Sequence, residues 1–117
     1  MNRTVKTLVG AAAIGVAMAA ASAAFAAPIE GNWRTASGET AAIAKCGGSY
    51  CVTLRSGKYS GKSIGRMKGS GAKYSGTITD PSDDKKYSGT ATVSGNSMKM
   101  RGCALKVFCK TQNWSRK

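Results

Sequence analysis

The chain has 117 residues, carries 18 Lys and Arg against five acids for a formal charge of +13, and contains four cysteines and no histidine. That is one small domain's worth of chain. The missing histidine removes the commonest general base and the commonest metal ligand, and the charge points to anionic surroundings and says nothing of a reaction.

The first segment reads as a leader. Arg3 and Lys6 are followed by an apolar run from Leu8 to Ala21, and then by small residues, Ser22-Ala23-Ala24-Phe25-Ala26-Ala27-Pro28. Basic, apolar and small regions in that order form a secretory signal peptide over residues 1–26. Ala24-Phe25-Ala26 supplies the A-x-A cleavage pattern, so the mature chain is expected to begin at Ala27. A transmembrane anchor is the rival reading, but the run is rich in Ala and Gly and ends without a basic stop-transfer flank. No second apolar stretch follows, so no membrane span is expected after cleavage. Removing residues 1–26 of 117 leaves 91, and losing Arg3 and Lys6 takes +13 to +11. Export to the periplasm or beyond makes disulfides the natural state of the cysteines. It also argues against nucleic acid as partner and towards anionic envelope components.

After Pro28 the sequence runs in short alternating stretches broken by Gly, Ser, Asn and Asp, an all-β pattern. Strands are expected over 32–35, 40–45, 50–55, 62–68, 73–79, 86–94, 97–103 and 107–116. Pro81 and the flanking Asp80, Asp83 and Asp84 make a turn, and Gly95-Asn96 a tight hairpin connection. The acids lack the full spacing of a calcium loop. Tyr74, Gly76 and Ile78 share one face of their strand, and Tyr87, Gly89, Ala91 and Val93 share one face of the next. Met98 and Met100 oppose Lys99 and Arg101. Lys73, Lys86, Lys99 and Arg101 therefore form a wet, basic surface patch. About eight such strands in 91 residues are expected to close into a small antiparallel β-barrel over 27–117, since closure removes the exposed edges. Lys-Tyr-Ser-Gly occurs at 58–61, 73–76 and 86–89, and composition bias explains this better than duplication, because the match stops after four residues.

The cysteines fall in two pairs, Cys46 with Cys51 and Cys103 with Cys109, each bracketing a turn. Four cysteines allow three pairings; turn geometry favours the two local disulfides over a cross-link between hairpins. Zinc is a poorer fit in an oxidising compartment without histidine. No metal, no cofactor and no catalytic group is expected.

Two resemblances follow from the chain's ends and middle. Gly31-Asn32-Trp33 on the first strand and Arg116 on the last resemble the calycin, lipocalin-like barrels. That likeness implies that Trp33 closes one end of the barrel and that Arg116 stacks on it. Gly31-x-Trp33-x-Thr35, Cys46-Gly47-x-x-Cys51, Gly76-x-Ile78-x-Asp80-Pro81-x-Asp83-x-Lys85-x-Tyr87, Met100-Arg101-Gly102-Cys103 and Cys109-x-Thr111-Gln112-x-Trp114-x-Arg116 resemble the exported bacterial family catalogued as domain of unknown function 2147. Val52 stands where that family tends to have Gly, and the stretch after it is shorter and lacks an Asp/Asn-rich loop, which implies a smaller mouth or lost loop contacts. The family implies an exported calycin-like barrel and no reaction. The expected role is non-enzymatic binding of a small apolar or amphipathic ligand, or of an anionic envelope component. The alternative is a protein-binding barrel such as a periplasmic protease inhibitor, acting through loops or residues 27–30.

Overall fold

The computed structural model describes residues 26–105 and 107–117; the expected signal peptide lies outside them, apart from Ala26. Eight strands follow in order: β1 (Gly31–Arg34), β2 (Thr40–Cys46), β3 (Ser49–Leu54), β4 (Ser63–Ser70), β5 (Lys73–Asp80), β6 (Lys85–Ser94), β7 (Ser97–Ala104) and β8 (Phe108–Arg116). Each pairs antiparallel with its sequence neighbours, and β1 pairs with β8, so the sheet closes into a barrel. The all-β barrel of eight strands expected from alternation is the fold. Among the described residues no helix is long and apolar enough to cross a membrane.

Strand ends depart from expectation where a turn captures the backbone. Thr35 leaves β1 because its N–H donates to the Glu39 carbonyl and Gly38 N–H returns to its own, closing the first loop. β4 starts at Ser63, since the Lys62 carbonyl is taken by Leu54 N–H at the base of the 55–62 loop. Gly95, at φ 58, turns the β6–β7 hairpin between the paired Ser94 and Ser97. A first-position glycine at positive φ gives that turn the twist of the strands it joins.

The three Lys-Tyr-Ser-Gly copies occupy unlike places. Residues 58–61 form a turn, while the other two copies lie on β5 and β6 and meet antiparallel at the pair Gly76–Gly89. They are not equivalent units of a repeat.

The core is one continuous cluster, weighted to one end of the barrel, with Leu54, Ile64, Met100 and Trp114 carrying it toward the other. Ile29, Trp33, Ala41, Ile43, Val52, Met67, Tyr74, Ala91, Val93 and Met98 are all buried. Residues 27–30, the β2–β3, β4–β5 and β6–β7 turns and the C-terminus lie at that end. The loops 35–39, 55–62 and 81–84 and the described residues Leu105 and Val107 between β7 and β8 gather at the opposite end, which we call the mouth.

Candidate functional site

The plugged end is built around Trp33, which is fully buried. Its indole N–H donates to the Ile29 carbonyl at 2.9 Å, which folds the entering chain beneath the ring. The Arg116 guanidinium carbon lies 4.2 Å from the Trp33 ring centroid. Arg116 also donates through Nη1 to the Glu30 carbonyl at 2.9 Å and through Nη2 to the Pro28 carbonyl at 2.7 Å. Trp33 and Arg116 are register partners across the β1–β8 seam. Gly31 is what admits the arginine: a Cβ there would stand 2.9 Å from Arg116 Nη1, and φ is 127°. The small residue of Gly-x-Trp thus leaves a channel for the guanidinium. Next to this plug the Tyr74 hydroxyl is buried without a hydrogen-bond partner among the described residues, and burial raises its pKa above the ordinary phenol value.

Toward the mouth the core is open above Leu54, Ile64, Met100 and Trp114. A cavity of about 370 Å³ opens there. Its floor is Leu54, Ile64, Ile78, Met100 and Trp114, and its rim includes Glu39, Tyr59, Asp80, Tyr87, Lys110 and Gln112. Two local features of the sequence make this space. First, Gly102 lines the cavity wall without a side chain, at the end of a row of register partners, Gly76, Gly89 and Gly102, across β5, β6 and β7. Gly89 is needed because a Cβ would collide with the Ile78 side chain, and Gly76 because it would collide with the Arg66 carbonyl. Tight coiling of β4 against β5 is the reason Gly76 tolerates no side chain. Second, the register between β3 and β4 shifts between Val52 and Thr53, leaving Ile64 as the extra residue of a bulge. A bulge re-aims its side chain, and Ile64 is buried in the cavity floor.

Polar groups ring the opening. Asp80 Oδ1 accepts from the Ser82 hydroxyl at 2.7 Å and from its N–H at 2.9 Å. Those two bonds, and the positive charge of Lys110, hold the Asp80 carboxyl below its ordinary pKa. Asp83 caps the same turn by accepting from Lys85 N–H. Lys62 spans the turn, donating to the Pro81 carbonyl and pairing with Asp84 at 2.7 Å. The acids of this loop therefore serve as turn caps, as their spacing implies. Ser37 donates to Glu39 across the rim, and Trp114 donates to the Gln112 side chain at 3.1 Å.

Cys46–Cys51 and Cys103–Cys109 are bonded as two local disulfides. They differ in placement. Cys103 faces Cys109 directly across β7 and β8, with Cα atoms 4.0 Å apart. Cys46 opposes Ser49 in register, so its bond to Cys51 runs diagonally across a wider 5.8 Å.

Lys73, Lys86, Lys99 and Arg101 are all exposed on the outer face. Lys73 and Lys99 flank Thr92 in one cross-strand row, and Arg101 lies in the next row along the same face. Lys86 is separate. It pairs with Thr79, six residues along β6 from Thr92, which at strand spacing is about 20 Å. It joins Lys85 and Lys110 at the mouth, so the basic face is two clusters at opposite ends.

Sequence reading named none of the rim residues as a site. Counting back by two from the buried Trp114 places Gln112 and Lys110 on the inner face of β8, a signal already present in the alternation. The alignment of Gly102 with Gly76 and Gly89 needs the register, which no single strand carries.

A family model described as "Uncharacterized protein conserved in bacteria (DUF2147)" matches residues 31–116, nearly the whole barrel from Gly31 to Arg116. No curated protein matches the chain, and no solved structure does.

Proposed function

The chain belongs to the DUF2147 family, and we propose that within it this barrel is a non-enzymatic, exported binding protein for a small amphipathic molecule held in the mouth cavity. The carrying observation is the asymmetry of the interior: one half plugged by Trp33, the other open as a cavity of about 370 Å³. Small-molecule sites are typically concave spaces of roughly 300–1,000 Å³ with apolar walls and a few placed polar groups. Here the apolar part of a ligand would lie on Ile64, Ile78, Met100 and Trp114, and its polar head would meet Lys110 and Gln112. The calycin likeness supports the same reading, since it is an end-plugged barrel with a binding mouth. Two disulfides and the leader-like order of residues 1–26 support a location outside the inner membrane. The outer cations add loose, salt-sensitive attraction to anionic envelope surfaces.

The protein-binding alternative rests on the mouth loops. The other arm considered for it, residues 27–30, is engaged in the plug: Ile29 is fully buried and Arg116 holds the Pro28 and Glu30 carbonyls.

The test is a titration of the processed protein with a fluorescent fatty-acid analogue, alongside native mass spectrometry for a co-purifying small molecule. Gly102→Leu fills the cavity from its wall at a position where a Cβ meets nothing closer than Tyr87 Cβ at 3.5 Å. Saturable binding that this variant abolishes while keeping its fold supports the proposal. Equal binding by the variant, or none by the parent, defeats it.

A further inference from the structure

The β7–β8 hairpin carries side chains that neither the core nor the cavity uses. Leu105 is 84% exposed, Val107 71% and Phe108 69%, all at the tip of the turn. Single exposed apolar residues are ordinary; three large ones together on a charged surface mark a contact site. The backbone sharpens the point. Leu105 sits at φ 53°, a left-handed position where Gly or Asn costs least. A turn needing only to connect two strands would carry such a residue and bury nothing. Instead it carries a leucine projected into solvent. The Cys103–Cys109 bond closes the base of the hairpin.

Around the tip are cations. Lys85, Lys86 and Lys110 are exposed and, with Leu105, Val107 and Phe108, line a depression on one side of the hairpin. Three acids lie on the adjoining turn: Asp84 pairs with Lys62, while Asp80 and Asp83 cap the turn and keep their charge, Asp80 facing Lys110.

We propose that the hairpin tip is a membrane-docking point: Leu105, Val107 and Phe108 enter the interfacial layer of an anionic bilayer while Lys85, Lys86 and Lys110 meet lipid phosphates. Charge complementarity selects this occupant. An apolar wedge with a basic collar matches an anionic interface, where the apolar residues sit at the acyl boundary and the cations at the headgroups. A protein partner is the poorer fit, because stable interfaces bury about 1,200–2,000 Å² of complementary surface and this tip offers three apolar side chains on one turn. The tip projects from the same end of the barrel as loops 35–39, 55–62 and 81–84, so docking turns the cavity mouth toward the bilayer. The apolar tip lies outside the cavity, although Lys110 is shared with the cavity rim, so the tip substitutions test docking independently of the cavity.

The experiment uses the processed, disulfide-bonded protein with vesicles of mixed phosphatidylglycerol and phosphatidylethanolamine, and with phosphatidylcholine vesicles as the neutral control. Leu105→Asn with Phe108→Ser should lower partition to anionic vesicles by roughly tenfold while leaving thermal stability unchanged, since both positions are exposed. Phe108→Trp should show emission that shifts to the blue on vesicles and is quenched by brominated acyl chains. Lys73→Gln with Lys99→Gln, at the far end, should affect partition less than Lys86→Gln with Lys110→Gln. Unchanged partition in the tip variant, or unshifted emission from Phe108→Trp in the vesicle-bound protein, overturns the proposal. So does a dimer in solution that the tip substitutions dissolve, which would assign the tip to a second copy of the chain.

Discussion

Arg116 reaches back across the closed barrel to lie 4.2 Å from the Trp33 ring, and its guanidinium fastens the carbonyls of Pro28 and Glu30 in the same stroke. One side chain of the last strand thereby orders three parts of the first: the indole, the chain that enters beneath it, and the glycine that leaves room.

Removing the indole should be the most damaging single truncation at this end. Trp33→Ala is expected to cost about 3–5 kcal/mol, a large part of what a domain of this size has to lose. Arg116→Ala should cost less. A double-mutant cycle read by urea denaturation should return a coupling of roughly 0.5–2 kcal/mol for the stacked pair. Additive losses would mean that the stacking contributes nothing beyond the carbonyl contacts.

The glycine row can be tested by crowding it. Gly89→Ala puts a methyl where Ile78 already sits and should destabilise by about 1–3 kcal/mol. Ile78→Ala in the same chain should recover part of that loss, because it removes the two atoms, Ile78 Cδ1 and Cγ1, that the new methyl would collide with. No recovery in the double variant would place the strain in the backbone rather than in this contact.

Processing should leave Ala27 at the N-terminus, with an intact mass lacking residues 1–26. The backbone nitrogen of Ala27 is 2.7 Å from Glu30 Oε2, so the cut would turn an amide donor into an ammonium facing a carboxylate. Glu30→Gln should then lower stability of the processed protein by on the order of 1 kcal/mol or less, the pair being only partly buried. A mass retaining the leader, or fractionation with integral membrane proteins, would rule the cleavage out.

Stability should fall at both extremes of pH for separate reasons. The Tyr74 phenol is raised above its ordinary 10.0 by burial. Its contribution is therefore full below that pH and is lost as pH climbs through the higher folded value. Tyr74→Phe should flatten the alkaline limb with little cost at neutral pH. The Asp80 carboxyl is lowered from its ordinary 3.8, first by the Ser82 hydroxyl. Its contribution is present above that pH and disappears as pH falls through the lower folded value. Ser82→Ala should shrink the acid limb, by a small amount, because the turn is exposed. Denaturation midpoints across the pH range, compared between parent and variants, measure both.

Much of the fold was legible because a half-buried strand alternates. Tyr74 and Ile78, Ala91 and Val93, and Met98 and Met100 mark the inner face, and Gly-rich turns separate the runs. The cysteines were legible because each pair brackets a short turn. The cavity was not, because it arises between strands. Gly76, Gly89 and Gly102 look like three unrelated glycines until pairing sets them side by side. Ile64 reaches the floor only through a bulge that no pattern in 62–68 announces. The basic face was readable as exposed but not as divided, since distance along a strand matters only once the partners are known: Lys86 is on the same face as Lys73 and Lys99 and at the other end of the molecule.

The seam between β1 and β8 has a consequence for how the barrel comes into being. Seven ladders join neighbours in the chain and can zip from their own turns. The eighth joins the two ends and is short, running only through Trp33–Arg116 and Arg34–Ser115. Bringing distant segments together costs loop entropy before any contact repays it, so this is the last ladder to form. A chain emerging from a pore N-terminus first holds Trp33 outside while Arg116 is still within. Until β8 is free, the sheet is an open, curling strip with its indole bare, and the ring closes only when β8 docks on β1. The clasp thus acts as a timer: the barrel is plugged only once its last strand has arrived.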